Sequence, residues 1–139
     1  MSGLQIYNAA FAKRAVPYVL GGGACTGPTK GLVGTKKGFD VPGLAQFAVC
    51  STTKIKVPHS IKGLYNHPRG KKIAYQQRKK GDLVFFGKDS RCSAGPTSVA
   101  IVRDPSTWLG YQKPRPKMTI GILPRQGTLH ACPKVVRYW

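Results

Sequence analysis

The hydrophobic pattern of this chain changes period once, and in one direction: helical spacing comes first and strand-like runs follow. Leu4, Tyr7, Ala10, Phe11 and Ala15 recur at helical spacing, and Pro17 marks the exit. Asp40 and Pro42 open a second helix, as an N-cap and a first-turn proline. Leu44, Phe47 and Ala48 give that helix its apolar face, and it is predicted to end near Cys50. Beyond residue 80 the periodicity is that of strands: Leu83–Phe86, Ser98–Val102, Trp108–Tyr111, Met118–Leu123 and Val135–Trp139, with a turn at Asp104-Pro105-Ser106. Helices followed by strands imply an α+β fold, with the N-terminal helices packed on an antiparallel sheet of five to six strands.

Between these segments the chain reads as connection. Pro17–Leu20 is an extended step, residues 21–38 are rich in Gly, Thr, Lys and Pro, and Thr52–Lys80 is polar, basic and expected to be irregular. With 139 residues, no internal repeat and no linker, residues 1–139 read as one domain. No apolar run approaches the ~20 residues of a membrane span, and no basic stretch followed by an apolar one marks a leader.

Charge limits the partners. There are 23 Lys and Arg against 4 acids, giving a net charge of +19. The acids are Asp40, Asp82, Asp89 and Asp104, and there is no Glu. Such a surface repels itself and attracts polyanions. Basic clusters occur at Lys13-Arg14, Lys36-Lys37, Arg69-Gly70-Lys71-Lys72, Arg78-Lys79-Lys80 and Lys113–Lys117, several near Tyr65, Tyr75 or Tyr111. Nucleic acid, anionic membranes and acidic wall polymers are the partner classes this favours.

Cys25, Cys50, Cys92 and Cys132 contain no C-x-x-C pair, which argues against a zinc ribbon. An even count in a small basic chain suits two disulfides and an oxidising, extracellular compartment. Three pairings are open. His59, His67 and His130 show no ligand spacing with a carboxylate, so they read as solvated or core-satisfied, and neither a metal nor a cofactor is expected.

Four segments carry a family resemblance. They are Pro17-Tyr18-Val19-Leu20-Gly21-Gly22 with Gly38-Phe39-Asp40-Val41-Pro42-Gly43-Leu44; Val57-Pro58-His59-Ser60; Lys80-Gly81-Asp82-Leu83-Val84-Phe85-Phe86; and Ser98-Val99-Ala100-Ile101-Val102. In order and spacing the chain resembles the NlpC family of papain-like peptidoglycan endopeptidases. That family reads Pro-Tyr-Val-Trp-Gly-Gly, Phe-Asp-Cys-Ser-Gly-Leu, Leu-Pro-Arg-Thr, Pro-Gly-Asp-Leu-Val-Phe-Phe and His-Val-Gly-Ile. The cysteine frame is similar to that of secreted fungal members, whose extra cysteines are non-catalytic.

The resemblance implies a lost reaction. The family sets its nucleophilic cysteine at a helix N-terminus, where free N–H groups and the dipole favour a thiolate. Here Val41 stands at that position, followed by Pro42. The family's general base opens the His-Val-Gly-Ile strand; here that residue is Ser98. A third, polar residue orients the histidine about a dozen positions later. The shorter register places it near Tyr111, and a longer one uses Thr128-Leu129-His130-Ala131; the shorter is preferred. Cys50, nine residues along the same helix, is ~13 Å from Val41 and is no substitute.

The chain is therefore expected to be a non-catalytic, secreted, monomeric pseudo-hydrolase. Tyr18, Asp40, Val41, Ser98 and Tyr111 are expected to line a cleft that binds peptidoglycan or another anionic cell-wall polymer, with an antimicrobial or effector role compatible with that reading. Binding of nucleic acid or anionic membrane by the basic surface is the alternative.

Overall fold

The computed structural model describes residues 2–32, 34–89, 91–111, 116–124 and 130–139. Helix α1 spans Gly3–Phe11 and α2 spans Val41–Thr53. The first helix stops earlier than its apolar spacing suggested. Its buried face is Ile6, Tyr7 and Ala10, while Leu4 is exposed. Ser2 and Gln5 form a capping box at its start.

Helix α2 is set by both ends. Asp40 Oδ1 accepts from the Gly43 N–H at 2.7 Å, with Pro42 in the first turn. At the far end Lys54 turns left-handed, and its N–H returns to Cys50 O at 3.1 Å.

Residues 52–80, expected to be irregular, instead hold a short helix α3 (Ile61–Asn66), strand β1 (Lys71–Ala74) and a 3-10 turn (Tyr75–Gln77). The cause is tertiary. Ser60 caps α3 onto Gly63 N and Leu64 is wholly buried. Strand β1 exists because β6 (Lys134–Arg137) pairs with it, Lys71 opposite Arg137 and Ala74 opposite Lys134. A polar sequence carries little strand signal of its own; the partner supplies it.

The remaining strands are β2 (Leu83–Phe86), β3 (Ser98–Asp104), β4 (Thr107–Tyr111) and β5 (Met118–Ile122). The six strands form one sheet in the order β1-β6-β2-β3-β4-β5, and each neighbouring pair is antiparallel.

Both faces of the central strands are covered, which explains their unbroken apolar runs. Leu83, Phe85, Val99, Ile101, Leu109 and Tyr111 pack against α1 and α2, through Ile6, Ala10, Leu44, Phe47 and Ala48. Val84, Ala100, Val102 and Val135 face the other way and meet Tyr75, Leu123 and Ala131. The Tyr75 hydroxyl donates to Pro124 O at 2.7 Å and closes that second layer.

Two disulfides tie the connections to this frame. Cys25–Cys50 fastens the glycine-rich loop to α2, and Cys92–Cys132 fastens the loop after β2 to the chain entering β6. Their Cα separations are 5.1 and 5.4 Å. Asp82, wholly buried, takes Arg137 in a two-pronged ion pair, with Nε on Oδ1 and Nη2 on Oδ2, both at 2.8 Å. Its Oδ2 also accepts from Lys79 N, so the Gly81-Asp82 turn is anchored before β2 begins. No helix among the described residues is long and apolar enough to cross a membrane.

Candidate functional site

A cleft of about 530 Å³ opens where the N-terminus of α2 meets the first residues of β3 and the end of β4. Tyr18, Asp40, Val41, Ser98 and Tyr111 all line it, joined by Pro42, Ile61, Phe86 and Trp108 among others. Six separate stretches of chain thus converge on one depression.

The glycine-rich loop brings Tyr18 and Asp40 there. Val19 N donates to Phe39 O at 2.9 Å and Asp40 N to Gly22 O at 2.8 Å, so residues 17–22 lie alongside residues 38–40. A Cβ at position 43 would strike Gly22 O, and that close approach requires glycine at the third residue of α2. Tyr18 and Tyr111 then meet edge-on, ring centroids 5.7 Å apart.

Asp40 has a second role that its sequence spacing did not show. His59 Nε2 lies 2.7 Å from Asp40 Oδ1, and His59 Nδ1 lies 3.0 Å from Gly23 O. Each ring nitrogen is thus within hydrogen-bond distance of an oxygen from a different stretch of chain. His59 therefore clips the segment before α3 to the loop and to the start of α2. His67, half-buried, leans on Tyr138, and His130 is exposed in a left-handed turn. Among the described residues the cleft is lined by neither a cysteine nor a histidine, and no three of His, Cys, Asp or Glu among them converge as a metal site would need.

The strand register sorts the third position. Ile101 pairs with Leu109 and Val102 with Trp108, and side chains alternate between faces along each strand. Tyr111 belongs with Val99 on the helix-facing side. Its hydroxyl donates to Val16 O at 2.7 Å, and burial raises its pKa above the ordinary tyrosine value. The residue of β4 that shares the Ser98 and Ala100 face is Gly110: a Cβ there would lie 3.2 Å from Ala100 Cβ and 3.4 Å from the Trp108 ring. Of the longer alternative, Thr128 and Leu129 lie outside the described residues. So does Lys113 of the fifth basic cluster.

The NlpC/P60 family model matches residues 15–119, more than half of the chain. The chain belongs to the NlpC/P60 family.

Among curated proteins it is similar to the peptidoglycan endopeptidase RipA of Mycobacterium tuberculosis, 41% identical over 75 residues, which is 52% of this chain and 15% of that protein. It is also similar to the murein DD-endopeptidase MepH of Escherichia coli, 32% identical over 66 residues, 48% of this chain and 24% of MepH. The chain thus spans a small part of these relatives' length. Among solved structures, RipA altered at a glutamate superposes with TM-score 0.81 at 29% identity, covering 98% of this chain and 61% of that one. RipD of Mycobacterium tuberculosis, described as a non-catalytic NlpC/p60 domain protein adapted to a peptidoglycan-binding function, gives TM-score 0.73 at 30% identity, covering 97% of this chain and 98% of that chain.

In this NlpC/P60 domain, then, the family's helix-on-sheet frame is complete and a cleft stands at its helix N-terminus. What faces that cleft at position 41 is an isopropyl group, and at position 98 a hydroxyl.

Proposed function

We propose that this chain is a secreted, non-catalytic NlpC/P60 domain that holds peptidoglycan, or another anionic wall polymer, in the cleft between α2 and β3–β4. One observation carries the reading: the cleft is formed and lined, yet its side chains offer neither a thiol nor an imidazole. A valine neither ionises nor attacks a carbonyl, and a serine without a base beside it stays a neutral hydroxyl.

The third position supports the same reading. Solved RipA variants are altered at a cysteine, a histidine and a glutamate. The spacing between that histidine and glutamate, carried from Ser98, falls on Gly110, which the strand register puts on the Ser98 face. Three positions of one reaction centre are then apolar, neutral or empty together. RipD is a precedent for a domain of this family with a binding function alone.

Binding and cleavage draw on different groups. Tyr18, Ile61, Trp108 and Tyr111 give apolar and aromatic walls, while Asp40 and Ser98 add polar points. Two disulfides suit an extracellular setting, and a net charge of +19 favours an anionic target. An antimicrobial or effector role is consistent with both.

The test is retention on purified, nucleic-acid-free cell wall at moderate salt. Retention that weakens in Tyr18→Ala and Trp108→Ala, with no release of wall peptides, supports the reading. No retention, or peptide release by the unaltered chain, overturns it. Retention by RNA or anionic vesicles with indifference to wall would favour the basic surface as the site of function instead.

A further inference from the structure

Far from the cleft, three cations gather around one shallow cavity. Arg78, Lys79 and Arg137 line a space of about 530 Å³ beside Pro105, together with Gln76 and Gln77. Pro105 follows the last residue of β3 and Ser98 is its first; seven residues of strand separate the two ends by ~20 Å. This cavity is not an extension of the cleft.

Its two guanidinium groups are held before any ligand arrives. Arg78 donates from Nε to Pro105 O and from Nη1 to Tyr75 O, both at 2.9 Å, with its plane 4.1 Å from the Tyr75 ring centre. Arg137 is fixed by Asp82 and by Gln77 O, and it stacks over Trp139 at 4.6 Å. Hydrogen bonding to Asp82 raises the Arg137 pKa further above its ordinary value.

The charge is not balanced. Among the described residues the ion pairs are His59–Asp40, Arg103–Asp104 and Arg137–Asp82. Arg78 therefore hydrogen-bonds, among the described residues, only to neutral carbonyls, and the Lys79 ammonium has no carboxylate partner among them. Among the described residues, Arg78 Nη2 and Arg137 Nη1 make no hydrogen bond to protein, and neither do the side-chain amides of Gln76 and Gln77. Five residues that carry donors thus line one cavity, and among the described residues the charges of Arg78 and Lys79 are uncompensated.

We infer that this cavity is a binding site for a phosphoryl group. A flat carboxylate is satisfied by the fork of a single arginine. A tetrahedral oxyanion accepts from several directions at once, which is what two fixed guanidiniums, an ammonium and two amides offer.

Titration of the 15N-labelled protein tests this, with inorganic phosphate, glycerol 3-phosphate, dimethyl phosphate and acetate added at constant ionic strength. Phosphate is expected to give saturable shifts at the Arg78 and Arg137 side chains and the amides of residues 76–79, with acetate giving none. The glycerol phosphate and dimethyl phosphate arms separate a terminal phosphoryl group from one inside a diester chain. Arg78→Gln and Lys79→Gln are each expected to weaken phosphate binding at least tenfold, and Lys30→Gln, in the distant loop, to leave it unchanged. Lys79 is exposed, so its variant keeps the test valid should Arg78→Gln disturb the fold. Shifts that do not saturate, that acetate reproduces, or that survive both cavity variants overturn the site.

Discussion

His59 Nε2 sits 2.7 Å from Asp40 Oδ1 although the two residues are nineteen apart in sequence, and the same carboxylate oxygen caps helix α2 through Gly43 N. One oxygen therefore secures both the helix start and the approach to α3. The pair is partly sheltered, with side-chain exposures of 28% for His59 and 14% for Asp40. Removing the cap by Asp40→Ala is expected to cost about 2 kcal/mol: about 1 for the cap and about 1 for the histidine left without its acceptor. His59→Ala is expected to cost about 1 kcal/mol. Urea unfolding of both single variants and the double variant should show a coupling of about 1 kcal/mol. Strict additivity would mean that the pair contributes nothing as a pair.

The disulfides close loops of 25 and 40 residues. In the chain-entropy account such loops stabilise by about 3.5 and 4 kcal/mol. Replacing Cys92 and Cys132 by Ala should therefore lower stability slightly more than replacing Cys25 and Cys50. Either loss is a large fraction of a small domain's total. Peptide mapping without reduction should recover the 25–50 and 92–132 linked fragments, and melting with and without reductant should reproduce the combined loss.

How far the sequence reached depends on where each signal resides. Leu83–Phe86 and Ser98–Val102 were legible because a strand covered on both faces must be apolar throughout. Asp40 was legible as a cap because capping is a contact within one turn. Strand β1 was not, since Lys71 and Lys72 look like solvated surface until β6 lies beside them. The His59–Asp40 clip joins segments that only the folded loop brings together, although His59 stands in the Val57–Ser60 segment that aligned with a family motif. Tyr111 does line the cleft, but counting residues does not give strand parity. The register puts Gly110, not Tyr111, on the Ser98 face. The Arg137–Asp82 pair left a weaker trace: a lone acid after a glycine and an arginine at the end of the chain.

Two buried tyrosines give the fold an alkaline limit. Tyr111 donates to Val16 O and Tyr138 to Leu64 O, and burial raises both phenols above the ordinary value of 10.0. The folded state keeps the neutral phenol, whereas the unfolded chain ionises it. A raised folded pKa contributes stability that is complete below pH 10 and is lost as pH climbs through the range above it. Melting temperature should therefore fall with pH above about 10. Tyr111→Phe should be less stable than the unaltered chain at pH 7, because it leaves Val16 O without its donor, but its melting curve should decline less steeply between pH 10 and 12. Equal slopes would mean that Tyr111 ionises as freely in the folded protein as in the unfolded one. Absorbance near 295 nm, followed through the same titration, would show directly whether these phenols titrate late, together with those of Tyr65 and Tyr75, which burial also raises.

The proposed loss of catalysis can be reversed residue by residue, and the strand parity says which residues to choose. Val41→Cys places a thiol at the N-terminus of α2, where the dipole favours the thiolate. Ser98→His places an imidazole on the strand facing it. This pair is expected to cleave wall peptides slowly, since nothing holds the imidazole in its working tautomer. Adding Gly110→Glu brings a carboxylate onto the histidine's own face and should raise kcat by ~10²-fold, at the lower end of what positioned acid–base groups supply. The new side chain meets Ala100 Cβ at 3.2 Å and the Trp108 ring at 3.4 Å, so the ring must yield by a few tenths of an ångström. Adding Tyr111→Glu instead should give no gain. That carboxylate lies on the helix-facing side of β4, where it is buried and its pKa raised rather than turned to the histidine. Mass-spectrometric assay of muropeptide release by the four proteins decides among these outcomes. A double variant as active as the Gly110→Glu triple would remove position 110 from the reaction centre. Release by the unaltered chain would show that Val41 and Ser98 were never the positions that mattered.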